Sequence, residues 1–134
     1  MPPRYLLDTN TASYVIKGNI PAVRLRLAQI PMAQVHISSI TEAELRYGAA
    51  RRPEASKLQQ IIEEFLIRVT ILSWDSQAAR EYGVLRAALE RSGQPFGNLD
   101  LMIAAHALAT AAILVTNDRS FARVKKLKTE NWAI

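Results

Sequence analysis

Short apolar runs alternate with longer helical patterns along most of this chain, and that alternation limits the possible folds more than any other feature. The candidate strands are Arg4–Asp8, Val35–Ser38, Val69–Leu72, Ile113–Thr116 and, as an edge strand, Glu130–Ile134. Strands separated by helices predict an α/β sandwich with a mainly parallel sheet. In such sheets ligands bind beyond the carboxyl ends of the strands, so the residues that follow each strand are the first candidates for a site.

Helical patterns fill the segments between these strands. The predicted helices are Asn10–Lys17, Pro21–Gln29, Ser39 to about Arg51, an apolar stripe over Leu58–Leu66, a helix capped by Asp75, and Asn98–Ala109. The last of these is apolar almost all round, which predicts a buried helix. The chain has 134 residues, a length that suits one domain, predicted to span residues 1–134.

Composition excludes several classes of protein. The chain has no cysteine, which rules out disulfides and thiolate metal sites. The N-terminal residues lack an apolar stretch of signal-peptide length. The longest near-apolar stretch, Leu101–Thr116, is too short and too interrupted to span a bilayer. We therefore expect a cytoplasmic protein without a membrane partner.

The charge balance is basic. The formal net charge is +5 and arginine outnumbers lysine twelve to five. The guanidinium group suits bidentate contacts with phosphate, so nucleic acid is one candidate partner. A solvated basic surface without such a ligand is the alternative, and charge alone does not separate the two.

Carboxylates stand where the parallel sheet would place a site. Asp8 ends the first strand and Asp118 lies just past the fourth, so both fall on one edge of the sheet. Asp100 begins the buried helix among apolar neighbours, where a charge needs a cation or strong hydrogen bonds. Asp75 precedes a helix and is explained as an ordinary N-cap.

Two glutamates follow the second strand, and helix geometry separates them. Glu42 and Glu44 are two residues apart and point to nearly opposite sides of a helix. Glu42 has a capping-box spacing from Ser39 and an ion-pair spacing to Arg46. The face of Glu44 is mostly apolar, comprising Ile40, Tyr47 and Gly48, and this favours an inward orientation. A capping box with Thr41 is the alternative for Glu44.

Carboxylates that converge from separate elements repel one another unless a cation is bound. Oxygen ligands without cysteine or clustered histidine select Mg²⁺ or Mn²⁺. Such ions orient a water, lower its pKa and stabilise charge on a phosphodiester. Together with the basic surface, the acids predict a metal-dependent phosphodiesterase that acts on nucleic acid.

A basic run follows the fourth acid: Arg119, Arg123, Lys125, Lys126 and Lys128. Phosphate contact and a solvated face are both open readings of this run. His106 and His36 are interpreted as core histidines with hydrogen bonds rather than as metal ligands or catalysts.

Several segments resemble a known family over essentially the whole chain. They are LLDTN (Leu6–Asn10), SSITEAELRYGA (Ser38–Ala49), NLDLMIAAHA (Asn98–Ala107), VTNDRSFARV (Val115–Val124) and ENW (Glu130–Trp132). In this order they resemble the PIN-domain ribonucleases, and in particular the VapC toxins of type II toxin–antitoxin modules. The resemblance implies a PIN-like α/β/α sandwich.

The resemblance also implies roles for particular residues. Asp8 and Asp100 match the core metal ligands of the family, Glu44 its third acid, and Asp118 the fourth position. Polar residues that match the lining of the site are Thr9, Asn10 and Thr116. Apart from the resemblance, the position of the basic run beside Asp118 makes Arg119, Arg123, Lys125 and Lys126 the candidates for contacts to RNA.

The activity implied by the resemblance is endonucleolytic hydrolysis of RNA by a metal-activated water, with Mg²⁺ as the metal and Mn²⁺ as a substitute. Toxins of this subgroup typically cut structured tRNA, including the anticodon stem–loop of initiator tRNA. The implied partners are a VapB-type antitoxin, held in a groove of the helices Ser39–Arg51 and Leu58–Ile67, and a second copy of the chain in a homodimer.

Two other functions compete with this one. In a haloacid-dehalogenase-like phosphatase Asp8 would be the nucleophile, but the acid–base aspartate expected two positions later is replaced by Asn10. A non-catalytic interaction domain with one structural cation is the second alternative.

Overall fold

A computed structural model describes residues 2–134, so Met1 of the predicted domain lies outside the described residues. Over this range five strands alternate with six α-helices. The strands are β1 (Tyr5–Leu7), β2 (Val35–Ser38), β3 (Thr70–Leu72), β4 (Ile113–Val115) and β5 (Thr129–Glu130). The helices are α1 (Thr9–Lys17), α2 (Pro21–Ala28), α3 (Ser39–Ala50), α4 (Ser56–Arg68), α5 (Ser76–Arg91) and α6 (Asn98–Ala109).

The strands form a sheet in the order β3-β2-β1-β4-β5, and every neighbouring pair is parallel. Leu7 at the end of the central strand β1 is level with Ile37 of β2 and Val115 of β4. The carboxyl ends of these three strands therefore lie side by side. The predicted parallel α/β/α sandwich is confirmed.

The core has two layers because successive side chains of β1 point to opposite faces of the sheet. Leu7 packs in a cluster with Val23, Ile62 and Phe65 of the α2 and α4 side. Leu6 packs in a second cluster that includes Ile103 of α6. Both faces of the central strands are thus covered, which explains their continuous apolar runs.

The end of the chain differs from the prediction. The edge strand predicted at Glu130–Ile134 is limited to Thr129–Glu130. Trp132 turns into the core, where only 3% of it is exposed, and its ring lies 5.6 Å from that of Tyr5. Arg26 lies over both rings and pairs with Glu130 at 3.2 Å. Directly after this strand, Oδ1 of Asn131 accepts a hydrogen bond from the backbone N–H of Ala133 at 2.9 Å, a local turn that competes with continued strand pairing.

Smaller differences occur elsewhere in the chain. Two 3₁₀ helices, Met32–Gln34 and Arg119–Arg123, were not anticipated. Asn98 is the first residue of α6 rather than its cap, because Gly97 occupies the N-cap position. Between residues 2 and 134, no helix has the length and apolarity that crossing a membrane requires.

Candidate acidic active site

Asp8 stands directly after β1 and begins α1. Its backbone N–H donates to the carbonyl of Val115 on the neighbouring strand at 3.0 Å. Its Oδ1 accepts a hydrogen bond from the backbone N–H of Thr11 at 2.8 Å and so caps α1. Asp8 is buried, with 4% of its surface exposed. The carboxylate therefore has one position, fixed by both the sheet and the helix.

Asp118 follows β4 on the same edge of the sheet. Its backbone N–H donates to Oγ1 of Thr116 at 3.0 Å. Its Oδ1 accepts hydrogen bonds from the backbone N–H and the hydroxyl of Ser120, at 2.9 and 2.7 Å. These bonds to Ser120, together with the positive charge of Arg123, lower the pKa of Asp118. Thr116 thus fixes the backbone of this acid, and Ser120 keeps it ionised.

Glu44 lies on α3 and is held by a side chain from α1. The hydroxyl of Thr9 donates to Oε1 of Glu44 at 2.6 Å. Oγ1 of Thr9 is also 3.2 Å from Oγ1 of Thr41, which is fully buried. The predicted inward orientation of Glu44 is found, but part of its rationale is wrong, because Tyr47 on the same face is 64% exposed.

Asp100 is half-buried in the first turn of α6. Burial raises the pKa of Asp100, and the negative charges of Asp118, Asp8 and Glu44 raise it further. Three acids from three other elements therefore lie close enough to Asp100 to act on its ionisation. The four predicted acids share one region of the molecule.

The two acids chosen as controls have ordinary roles. Asp75 caps α5 by accepting from the backbone N–H of Ala78 at 3.1 Å. Glu42 pairs with Arg46 at 2.9 Å, as its spacing predicted. The capping box of Glu42 with Ser39 is wrong, because Ser38 is the N-cap of α3.

Some of the other predicted site residues lie beside the acids, and others do not. Thr9 and Thr116 contact or support the acids, whereas Asn10 is exposed on the first turn of α1. The positive charge of Arg123 contributes to the lowered pKa of Asp118, and Arg119, which follows Asp118 in the chain, is exposed. Lys125 and Lys126 line a separate groove, and none of the four acids lines that groove.

Both histidines lie in the core, as predicted. His106 is buried, and its Nδ1 is 2.8 Å from Oγ of Ser38. His36 is buried in β2, and its Nδ1 is 3.0 Å from the carbonyl of Gln34. Burial lowers the pKa of both imidazoles, which favours their neutral forms.

The acids offer oxygen atoms that suit a hard cation. In Asp8, Glu44 and Asp118 the hydrogen bonds from described residues reach one carboxylate oxygen and leave the other without a donor. Among residues 2–134, however, no three acidic or histidine side chains are grouped tightly enough to hold an ion by themselves. Mg²⁺ commonly keeps several waters and uses one or two carboxylates together with substrate phosphates. The arrangement fits that mode of binding rather than a closed cage.

Two supporting residues were missed from the sequence. Thr41 lies three residues before Glu44 and its hydroxyl contacts that of Thr9, but the two residues are 32 apart and no local pattern indicates the contact. Ser120 lies two residues after Asp118, a spacing typical of an aspartate turn, and that local pattern could have identified it.

The PIN domain family model matches residues 5–127. The tRNA(fMet)-specific endonuclease VapC of Shigella flexneri is 40% identical over 97% of this chain and 98% of its own length. Ribonuclease VapC2 of Haemophilus influenzae is 42% identical over 96% and 98%. The crystal structure of DNA-bound VapBC from Salmonella typhimurium superposes with a TM-score of 0.91 at 37% identity, covering 98% of this chain and 99% of that one.

A parallel sheet with acids gathered at its carboxyl edge is thus the fold and site of a PIN-domain nuclease. The chain belongs to this family and, within it, to the VapC ribonucleases, the toxins of toxin–antitoxin modules. It is accordingly a hydrolase of phosphodiester bonds, which excludes the phosphatase and the non-catalytic alternatives.

Proposed function

We propose that this chain is a Mg²⁺-dependent endoribonuclease in which Asp8, Glu44, Asp100 and Asp118 hold the ion, and that Mn²⁺ can replace Mg²⁺. The observation that carries the proposal is the convergence of these four acids. Asp8, Glu44 and Asp118 each keep one carboxylate oxygen without a donor. When bound, the ion supplies an acidified water and neutralises charge on the phosphodiester.

The residues of the proposed site have different roles. Asp8 and Asp100 are the core ligands, since one is fixed by a strand and a helix and the other starts the buried helix. Glu44 is oriented by the hydroxyl of Thr9. Asp118 stays ionised through Ser120 and directs either the ion or a water in its shell. Arg119 and Arg123 lie beside it and are suited to contact phosphates next to the scissile bond.

The proposed substrate is tRNA. The relative from Shigella flexneri is named as specific for tRNA(fMet), and it aligns with nearly the whole of this chain. The initiator tRNA anticodon stem–loop is therefore the first substrate to test. We propose a cytoplasmic location as well, because that is where a tRNA substrate would be met.

The proposed partners are a VapB-type antitoxin and a second copy of the chain. The related Salmonella structure is a VapBC complex. In this chain, α3 and α4 expose two apolar side chains, Tyr47 at 64% and Ile67 at 81%. Exposed apolar surface of this kind suits an interface. We expect Ile67→Glu to weaken capture of the cognate antitoxin in co-purification, whereas Gln77→Glu on the exposed side of α5 leaves it unchanged.

The test of the catalytic proposal is cleavage of initiator tRNA by the purified chain with Mg²⁺, Mn²⁺ or EDTA, followed by mapping of the RNA 5′ ends. Loss of any one of the proposed metal ligands should cost several kcal/mol of transition-state stabilisation, about 1,000-fold in rate. We expect this loss for Asp8→Asn, Asp100→Asn and Glu44→Gln. The matched controls Asp75→Asn and Glu42→Gln should cleave within about twofold of the unchanged chain.

The same variants can be tested in cells. Induction of the unchanged chain without an antitoxin should arrest growth, and Asp8→Asn should not. Cleavage that persists in EDTA, or that survives Asp100→Asn, would contradict the proposed role of the metal. Absence of any tRNA cleavage with Mg²⁺ or Mn²⁺ would contradict the proposed substrate.

A further inference from the structure

A second surface feature of the described residues is a groove bounded by α5 and α6. Its volume is about 820 Å³, within the range of small-ligand sites. It lies between the C-terminal half of α5, the second half of α6 and the stretch Arg123–Lys128. None of the four acids lines it.

The floor of this groove is aliphatic. It is formed by Val84 and Leu85 of α5, Leu108 of α6 and Leu127, with alanines between them. Val84 is 71% exposed, so its apolar surface is open to an occupant of the groove. No aromatic ring lines the groove, so bases would find no platform on which to stack.

The rim of the groove is cationic. Arg123, Lys125, Lys126 and Lys128 line it, and Glu81 is the one acid among its lining residues. The ion pairs found within residues 2–134 involve none of these lysines. Arg123 donates to the carbonyl of Pro95 at 3.0 Å and so braces one wall. The lysine charges are therefore free to meet an anionic occupant.

Lys126 is placed at the rim against the preference of its backbone. Its φ is 68°, in the left-handed region. This conformation costs a residue other than glycine about 1–2 kcal/mol. Glycine would remove that cost, so the lysine is kept at a position that its backbone disfavours.

We propose that this groove binds an acidic amphipathic peptide segment of a partner protein, with aliphatic side chains on the floor and carboxylates at the lysine rim. Charge complementarity selects an anion, and the aliphatic floor selects a peptide over RNA, whose sugar–phosphate backbone would leave that floor uncovered. The inference is independent of the proposed cleavage reaction, because binding here uses none of the residues assigned to it except Arg123 at the edge.

The test uses three fluorescein-labelled synthetic peptides of about 12 residues and fluorescence anisotropy. One peptide is rich in Glu and Leu, the second replaces every Leu by Ser, and the third replaces every Glu by Lys. We expect the first to bind at least tenfold more tightly than the other two. Equal binding of the Ser peptide would overturn the role of the floor, and equal binding of the Lys peptide would overturn the role of the rim.

Variants locate the binding on the surface. Lys125→Glu/Lys128→Glu should weaken binding of the Glu/Leu peptide at least tenfold, and Val84→Glu should weaken it similarly. Lys17→Glu/Lys57→Glu makes the same change in net charge elsewhere and should have less than a twofold effect. Equal losses in the two double variants would mean that only net charge matters, and would refute the proposal.

RNA is the competing occupant and is tested directly. In the Asp8→Asn background, binding of tRNA should be the same for the groove variant Lys125→Glu/Lys128→Glu and for its control. If the groove variant alone loses tRNA while it keeps the peptide, the groove is an RNA surface and the proposal is wrong. Melting temperatures of all variants, compared with the unchanged chain, exclude unfolding as the cause.

Discussion

Asp100→Asn should make the metal-free protein more stable while it removes activity. The carboxylate of Asp100 faces the charges of three other acids, and its pKa is raised first by burial and then by those charges. A carboxyl group whose pKa is higher in the folded state destabilises that state once it is ionised, so stability falls as the pH rises through the folded pKa. An amide of the same shape removes this cost at neutral pH.

The size of the effect follows from the contacts. Three partly screened repulsions of about 0.5 kcal/mol each would be relieved. The favourable interaction of a first-turn acid with the dipole of α6, about 0.5 kcal/mol, would be lost. From the charges alone the net gain is about 1 kcal/mol, and the smaller burial cost of a neutral amide adds to this gain. At about 2.1 cal/mol/K of unfolding entropy per residue, it corresponds to a rise of about 3–4 °C in Tm.

The assay is thermal unfolding at pH 7.5 in EDTA and then in Mg²⁺. A ligand at ten times its Kd adds about 1.4 kcal/mol of stability. Mg²⁺ should therefore raise the Tm of the unchanged chain by about 5 °C and that of Asp100→Asn by much less. Asp75 is a capping acid outside the cluster, so Asp75→Asn should change neither the Tm in EDTA nor the rise in Tm on adding Mg²⁺ by more than about 2 °C. A Tm of Asp100→Asn at or below that of the unchanged chain in EDTA would refute the electrostatic reasoning.

Three further expectations follow from single contacts. Thr9→Val removes the donor to Glu44 and should lower kcat/KM for tRNA about tenfold with little change in Tm, whereas Thr9→Ser should retain most activity; equal losses would exclude the hydrogen bond as the cause. Ala111 has a φ of 54° just after α6, so Ala111→Gly should raise the free energy of unfolding by about 0.5–1 kcal/mol. The control Ala88→Gly inside α5 should lower that free energy by about 1 kcal/mol, and urea titrations measure both changes. Burial lowers the pKa of His106, so on acidification the unfolded chain is protonated at this residue before the folded chain is. The difference in the free energy of unfolding between the unchanged chain and His106→Gln should therefore shrink as the pH falls from 7 to 5, by at most about 1.4 kcal/mol per pH unit. A difference that stays constant over this range would contradict the reasoning.

The fold was largely predictable because its signals are local. The apolar runs before Asp8 and Asp118 mark strands, and the cap at Asp75 marks the start of α5. Parallel order then follows from the alternation of strands and helices. The end of the chain was not predictable in this way, because Trp132 is buried against Tyr5, which is far away in the sequence.

That the four acids lie in one region was predictable from their positions after strands and at helix starts, but the residues that support them were not. The bond between Thr9 and Glu44 joins residues 35 apart, and no local pattern announces it. The apolar face used to orient Glu44 was also misleading, since Tyr47 on that face is exposed. Polar contacts across elements depend on helix packing, which a periodic pattern leaves undetermined.

The capping bonds of Asp8 and Asp118 have a consequence for the order of events during folding. Asp8 caps α1, Asp118 caps the 3₁₀ helix that follows it, and Asp100 lies in the first turn of α6. Each acid therefore reaches its place as its own helix forms, and the positive helix end beside it offsets part of the repulsion from its neighbours. The proposed ion would then arrive last, at a site that is already shaped, and refolding in EDTA should be as fast as refolding in Mg²⁺.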